Sequence, residues 1–313
     1  MALDLTGLSA YTDENAMDLI KESILRGRTV DLIQVQGGIK SAATINRLST
    51  TLNAQAGACG WSATGSTTLD QRTITVCDIK INEAICLNDL EDYYTQVMMN
   101  PGSYNTDIPF EQLFAENKRD AIMALVEDLV WRGDTSGGSG NLLLCDGFVV
   151  LFDAGITASS TLYGTYSTTT FDTVNNSGII DMVDEMVADV PSNIINNTDL
   201  HLFMSYANFR TYAKELRDAN LFHYTGAENQ GADFSLMVPG TNVRAIAVRG
   251  LDSADRFCLA AASNLYIGTD LLSDAEDFKI FYSQDNDEVR FLAKWKIGVQ
   301  AAWLNEVVWY VGV

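Results

Sequence analysis

Residues 108–131 read IPFEQLFAENKRDAIMALVEDLVW, and the rest of the chain is arranged around this stretch. Thr106 or Asp107 can cap a helix start, Pro109 suits the first turn, and Gly133 suits the position just past the end. Phe110, Leu113, Phe114, Ala121, Ile122, Leu125, Val126 and Leu129 recur at three- and four-residue spacing. Glu111, Glu116, Lys118, Arg119, Glu127 and Asp128 fill most other positions. The spacing predicts a helix over 108–131, roughly 33 to 36 Å long at about 1.5 Å per residue. Globular helices average about 11 or 12 residues. The second half is apolar on more than one side, so it is expected to pack on one layer and brace another.

Upstream, residues 43–87 predict a long β-hairpin. Its outgoing strand runs through Thr44–Leu48 and its return through Arg72–Val76, and residues 53–65 between them are mostly small around Trp61. On the return strand the apolar parity flips, from Ile74 and Val76 to Ile79 and Ile81. With a period of two, the flip calls for a bulge or a change of packing partner near Cys77–Asp78. The outer half has too few apolar residues for a core, and an isolated two-stranded ribbon is marginal in water. The ribbon is therefore expected to be held by another subunit, with Trp61 as an anchor. Arg47, Trp61 and Arg72 are the candidate interface residues. The alternative is that it folds back on its own domain. Residues 1–42 predict an arm, helical from Thr12 or Asp13, with a thin stripe of Met17, Ile20 and Ile24. Lys21, Arg26, Arg28, Lys40 and Arg47 make its neighbourhood locally basic. Such an arm is either solvated and salt-bridged, or Lys21, Arg26 and Arg28 touch a neighbour or an inner face.

Downstream, Gly133–Gly140 reads as a flexible link, without the Gly-Lys-Ser/Thr of a phosphate loop. Residues 142–148 then enter a Thr/Ser-rich loop expected to run to about residue 172. A second unit begins near Asn175: a helix on Ile179, Ile180, Val183, Met186, Val187 and Val190 stopped by Pro191, a buried strand at Leu200–Met204, and a helix capped by Ser205. Strands follow at Asn242–Val248 and Phe257–Ala261, which makes an α+β unit with a helix-covered sheet. Lys279–Tyr282 and Val289–Leu292 form a last hairpin. The apolar tail with Trp295, Trp303, Trp309 and Tyr310 is expected to return to the first unit and join the sheet beneath the long helix.

A chain of 313 residues with 47% hydrophobic content is long enough for a large core. No apolar run approaches a membrane span. The opening MALDLTGLSA lacks a basic region followed by an apolar block, so no signal peptide and a cytoplasmic site of synthesis are expected. With 41 acidic against 20 basic residues, a formal charge of −21, the chain is a poor general binder of nucleic acid. Cys59, Cys77, Cys86, Cys145 and Cys258 lack CxxC spacing and are expected to be reduced, mostly buried thiols. His201 reads as a core histidine and His223 as a surface or interface one. The acidic runs Asp270–Asp277 and Asp285–Glu288 lack the spacing of a calcium loop. No nucleophile, base and oxyanion set assembles, so neither catalysis nor a cofactor is expected.

The order of parts resembles the major capsid protein of tailed double-stranded-DNA bacteriophages. Phe203-Met204-Ser205 before a helix with Phe209, Val238-Pro239-Gly240-Thr241 before a strand, and Asn264–Asp270 before an acidic loop look like that family's axial domain. The resemblance implies an N-terminal arm (1–42), an extended loop (43–87) lying over a neighbour, and a peripheral domain (88–174) with its spine helix at 108–131. It further implies an axial domain (175–279) and a hairpin and strand (280–313) returning to the peripheral domain. It implies hexamers and pentamers of an icosahedral shell around DNA that is contacted weakly and non-specifically, together with a portal and separate scaffolding or decoration proteins. No lysine lies between Lys40 and Lys80, so no lysine crosslink from the extended loop is expected. Two rival readings are an encapsulin-like nanocompartment shell, which shares the fold, and a soluble acidic enzyme or binding module.

Overall fold

The computed structural model describes residues 28–57, 59, 64–86, 110–157, 162–166, 178–219, 234–252, 254–270, 278–283, 285–286 and 288–312. Lys21, Arg26, Trp61 and His223, and the expectations resting on them, lie outside these residues.

The long helix is present as α2 (Phe110–Arg132), preceded by a short α1 (Arg28–Leu32). α2 ends at Gly133, whose N–H donates to the Leu129 carbonyl (3.1 Å). Close packing is what requires glycine there, because a Cβ on Gly133 would lie 2.1 Å from the Cys145 carbonyl oxygen. Gly133–Gly140, expected as a flexible link, is instead a braced turn. The Asp134 carboxylate accepts from the N–H groups of Ser136 and Gly137, and Asp146 accepts from the Thr135 N–H and hydroxyl.

The loop expected from 148 to about 172 also differs, since it holds α3 (Phe148–Thr157) and strand β5 (Leu162–Tyr166). α3 is apolar apart from Asp153 and its last residue, Thr157, and so short a mostly apolar run carries too little periodicity to separate helix from strand. Phe148 and Phe152 are fully buried and stack at 5.5 Å.

A six-stranded sheet forms the second unit. Its strands are β5, β6 (Leu200–Met204), β7 (Ser235–Met237), β8 (Arg244–Ala247), β9 (Arg256–Ala261) and β13 (Val308–Gly312), in the order β5-β13-β9-β6-β8-β7. Both faces of its central strands are covered, which is why β6 and β9 read as largely apolar runs. One face (Leu200, Leu202, Met204, Leu259, Tyr310) packs with α4 (Ile179–Ala188) and α5 (Tyr206–Asp218). The Ser205 hydroxyl caps α5 by accepting from the Asn208 N–H (3.1 Å). The other face (Phe203, Ile246, Cys258, Ala260, Trp309) shares one core with Ile122, Val126, Leu129 and Trp131 of α2.

The same core takes in Phe291, Trp295 and Ile297 of a five-stranded sheet. That sheet holds β1 (Gln34–Gln36), β4 (Cys77–Cys86), β10 (Leu265–Thr269), β11 (Phe278–Ser283) and the 14-residue β12 (Glu288–Ala301). The helix thus braces two layers, as its two-sided apolar pattern requires.

Three further findings bear on the sequence reading. Leu265–Thr269, grouped with the axial unit, pairs with β12 and β1 in the five-stranded sheet. The C-terminal stretch expected to return splits between the two sheets: β12 joins the five-stranded sheet against the long helix, and β13 inserts between β5 and β9. Finally, the cysteines are not all reduced: Cys77 and Cys145 form a disulfide, while Cys59 and Cys258 are free. His201 is buried at 9% exposure with its Nδ1 2.8 Å from the Asp199 carbonyl oxygen, as a core histidine should be.

α1 is tied to α2 through a buried carboxylate. Glu127, 4% exposed, accepts from the Thr29 N–H (3.2 Å) and hydroxyl, and the Trp131 indole N–H donates to the same hydroxyl (2.8 Å). Burial is the main cause that raises the Glu127 pKa above its ordinary 4.5, against the lowering effect of the Thr29 hydrogen bonds. A carboxyl whose pKa is raised on folding holds its proton more tightly in the folded state. Its contribution is therefore complete below about 4.5 and is lost as pH rises through the raised value. Glu127→Gln is expected to flatten that decline, read as melting temperature against pH.

Candidate assembly surface

The predicted hairpin is a separate two-stranded ribbon, β2 (Ala42–Thr51) paired with β3 (Ser66–Thr75). β3 ends at Thr75 and β4 starts at Cys77 against β12, so the parity flip marks a change of pairing partner. The register places Ile45 opposite Arg72, Arg47 opposite Asp70 and Leu48 opposite Leu69. Alternation then puts Ala43, Ile45, Arg47, Asp70, Arg72 and Ile74 on one face, and Leu48 and Leu69 on the other.

The base of the first face is seated on its own chain. Ile45 and Ile74 are buried in a small cluster with Ile39, Val76 and Ala302. Gly268 of β10 and Gly298 of β12 are cross-strand partners. Together they leave a notch, since a Cβ on Gly298 would lie 2.0 Å from the Thr75 carbonyl oxygen and one on Gly268 would meet the Ile39 and Ile74 side chains at 2.9 Å. The Gln300 amide nitrogen donates to the Thr73 carbonyl (2.7 Å) at the same junction.

Arg47 completes this seat. Its guanidinium lies 4.8 Å from the centroid of the Trp303 ring, donates to the Ala302 carbonyl (2.9 Å) and pairs with Asp70. Trp303 is itself held by Asn264, which accepts from its N–H (2.7 Å) and donates to its carbonyl (2.8 Å). Arg72 sits beside Arg47. Burial first, and then the charge of Arg47, hold its pKa below the ordinary value. A groove of about 530 Å³ opens between the two arginines, Trp303, and Leu151, Ala154 and Gly155 of α3.

Beyond Arg47 and Arg72 the ribbon is bare on both faces, from Leu48 to Thr51 and from Ser66 to Gln71. Leu48 is 61% exposed and Leu69 74%, and Leu52 at the end of the strand is also exposed. The structure therefore brings Arg47 and Arg72 together at the base and engages Arg47 within its own chain. Arg28 opens α1, close enough to Glu127 for its charge to lower that residue's pKa. Sequence reasoning missed the Leu48–Leu69 pair and the Trp303 seat. The leucine pair had a signal, being the large apolar residues of the outer ribbon; Trp303 had none, because its contact spans 256 positions.

Among the described residues no group of three His, Cys, Asp or Glu side chains is placed to hold a metal ion, and no helix is long and apolar enough to cross a membrane. No protein-family model matches the sequence, and no characterised protein matches it by sequence. In backbone arrangement the chain has the fold of the major capsid proteins of tailed phages. The capsid of the empty GTA particle matches with a TM-score of 0.59 at 12% identity, over 93% of this chain and 90% of that one. The capsid of Myoviridae phage XM1 matches with 0.57 at 13% identity, over 93% and 92%. The satellite phage P4 procapsid, which includes a size-determination protein, matches with 0.57 at 11% identity, over 96% and 100%.

Proposed function

We propose that this chain is a structural major capsid protein, which assembles as hexamers and pentamers into an icosahedral shell around packaged double-stranded DNA. It is synthesised in the bacterial host cytoplasm and resides in the virion, with a portal and separate scaffolding or decoration proteins as further partners. Its role is structural rather than catalytic. The strong negative charge keeps its hold on DNA weak, because few lysines and arginines are available to replace counterions at phosphates.

The observation that carries this reading is the cantilevered outer ribbon, whose Leu48–Leu69 pair is exposed on the face turned away from its own socket. A bare two-stranded ribbon is marginal in water, and a surface that covers its two exposed leucines stabilises it. A second copy supplies that cover, and a closed shell repeats the contact many times. The purified chain is expected to form particles visible by negative-stain electron microscopy. The double variant Leu48→Asp/Leu69→Asp is expected to stay unassembled, with unchanged circular dichroism. A wild-type chain that remains monomeric at assembly concentrations overturns the reading, and particles filled with protein cargo rather than DNA favour the nanocompartment instead.

A further inference from the structure

Arg72 is half-buried at the ribbon base, and among the described residues its side chain has no hydrogen bond and no ion pair. The one carboxylate on this ribbon face, Asp70, is engaged with Arg47. A partly desolvated cation with a like charge beside it and no counter-ion is unfavourable unless an anion arrives from outside. We propose that the groove between the ribbon base and α3 receives a carboxylate side chain from a second copy of this chain, with the Arg72 guanidinium as its anchor.

The groove's shape and chemistry suit that occupant. About 530 Å³ admits a side chain and a short piece of backbone but not a packed helix. Leu151, Ala154 and Trp303 offer apolar walls for the stem of a glutamate or aspartate, while the guanidinium offers a fork matched to its two oxygens. With 41 acidic residues on 313, a second copy brings carboxylates on almost any surface it presents. The same copy is already required nearby. Arg72 and Leu69 are three residues apart on β3, about 10 Å at 3.3 Å per residue. The Leu48–Leu69 pair faces away from the groove, so a neighbour that covers it reaches Arg72 by wrapping the bare edge of the ribbon beyond Arg72.

This inference rests on the shell reading, and the experiment separates the two. The chain is assembled as wild type, R72K, R72Q and R72E, with particle yield measured by sedimentation and melting temperature measured on the unassembled protein. R72K is expected to assemble. R72Q and R72E are expected to lose about tenfold or more in yield at unchanged melting temperature, as loss of a desolvated charge partner does. Particles of R72K, built from a mixture of light and ¹⁵N-labelled copies, are then treated with a water-soluble carbodiimide. The reagent joins an amine to a carboxyl in contact with it, releasing a urea. Mass spectrometry is expected to find position 72 linked to an aspartate or glutamate in peptides of mixed isotope. Links within one copy, or wild-type yield from R72E, overturn the inference while leaving the shell reading intact. Shells that form normally from R72E but fail to retain DNA assign the groove to phosphate and overturn it too. A wild-type chain that never assembles overturns the shell reading, and the inference with it.

Discussion

Opening the Cys77–Cys145 bridge, by a reductant or by Cys145→Ala, is expected to destabilise the folded chain by about 4 kcal/mol at 25 °C. For a chain of this size that is on the order of 10 °C in melting temperature. The two residues are 68 positions apart, and the loop they close holds all of β4 and all of α2. Unfolded, a chain so crosslinked loses much of its freedom, while the folded chain loses little because the two Cα atoms lie 5.7 Å apart, within the ordinary span of a disulfide. The bridge also joins two places that must stay in register. Cys77 starts β4 where the ribbon ends, and the carbonyl of Cys145 packs on Gly133 at the end of α2. Reducing compartments keep such pairs open, so the bond is expected to close on exposure to an oxidising medium. Melting curves with and without reductant, with thiols counted by alkylation and mass spectrometry, check this. A Cys59→Ser variant, which removes an exposed free thiol, should melt as wild type does. Equal melting temperatures for the fully reduced and oxidised protein would contradict the expectation.

Gly298→Ala should unseat the ribbon, at a cost of about 3 kcal/mol, the upper end of what overpacking usually exacts. The added Cβ would fall 2.0 Å from the Thr75 carbonyl oxygen and 3.1 Å from the Val76 Cα, both backbone atoms of the ribbon's exit. Backbone paired in a ladder cannot step aside without breaking the Thr75–Ala42 rung or the register of β4 on β12. Gly268→Ala is the internal control. Its Cβ would meet the tips of Ile39 and Ile74 at 2.9 Å, side-chain ends that can rotate, so a loss nearer 1 kcal/mol is expected. Limited proteolysis of residues 42–75 reads the seating directly, and particle yield reads its consequence. Cleavage at the wild-type rate in the Gly298 variant would show that the glycine pair is not the seat.

The long helix, the ribbon, the Ser205 cap and the buried strand Leu200–Met204 were legible in the sequence because each leaves a local mark: a period, a cap, or an apolar run of strand length. α3 was not, because Phe148–Thr157 is mostly apolar on more than one side, with Asp153 its one charged residue, and leaves no clear stripe to read. The ribbon's place was half legible. Its thin outer apolar content announced that it leaves the body, but its seat depends on Gly268, Gly298 and Trp303, which lie far along the chain. Arg47 and Arg72 were picked out as interface residues on the ribbon, and only the fold separates them, the first engaged with Ala302, Trp303 and Asp70 and the second left beside an open groove.

By itself, then, the sequence determined the longest helix, the ribbon and several of the strands and helices of the second unit, which of their faces are apolar, and that the ribbon cannot make its own core. Only the tertiary structure decided which element each face meets. Leu265–Thr269 and Val308–Gly312 are both short apolar strands, yet one joins the five-stranded sheet and the other the six-stranded sheet. The same holds for Cys77 finding Cys145 and Glu127 finding Thr29, 98 positions away. Periodicity records that a face is buried. The identity of its partner is set by long-range packing summed over the whole core, to which no single stretch of residues holds the key.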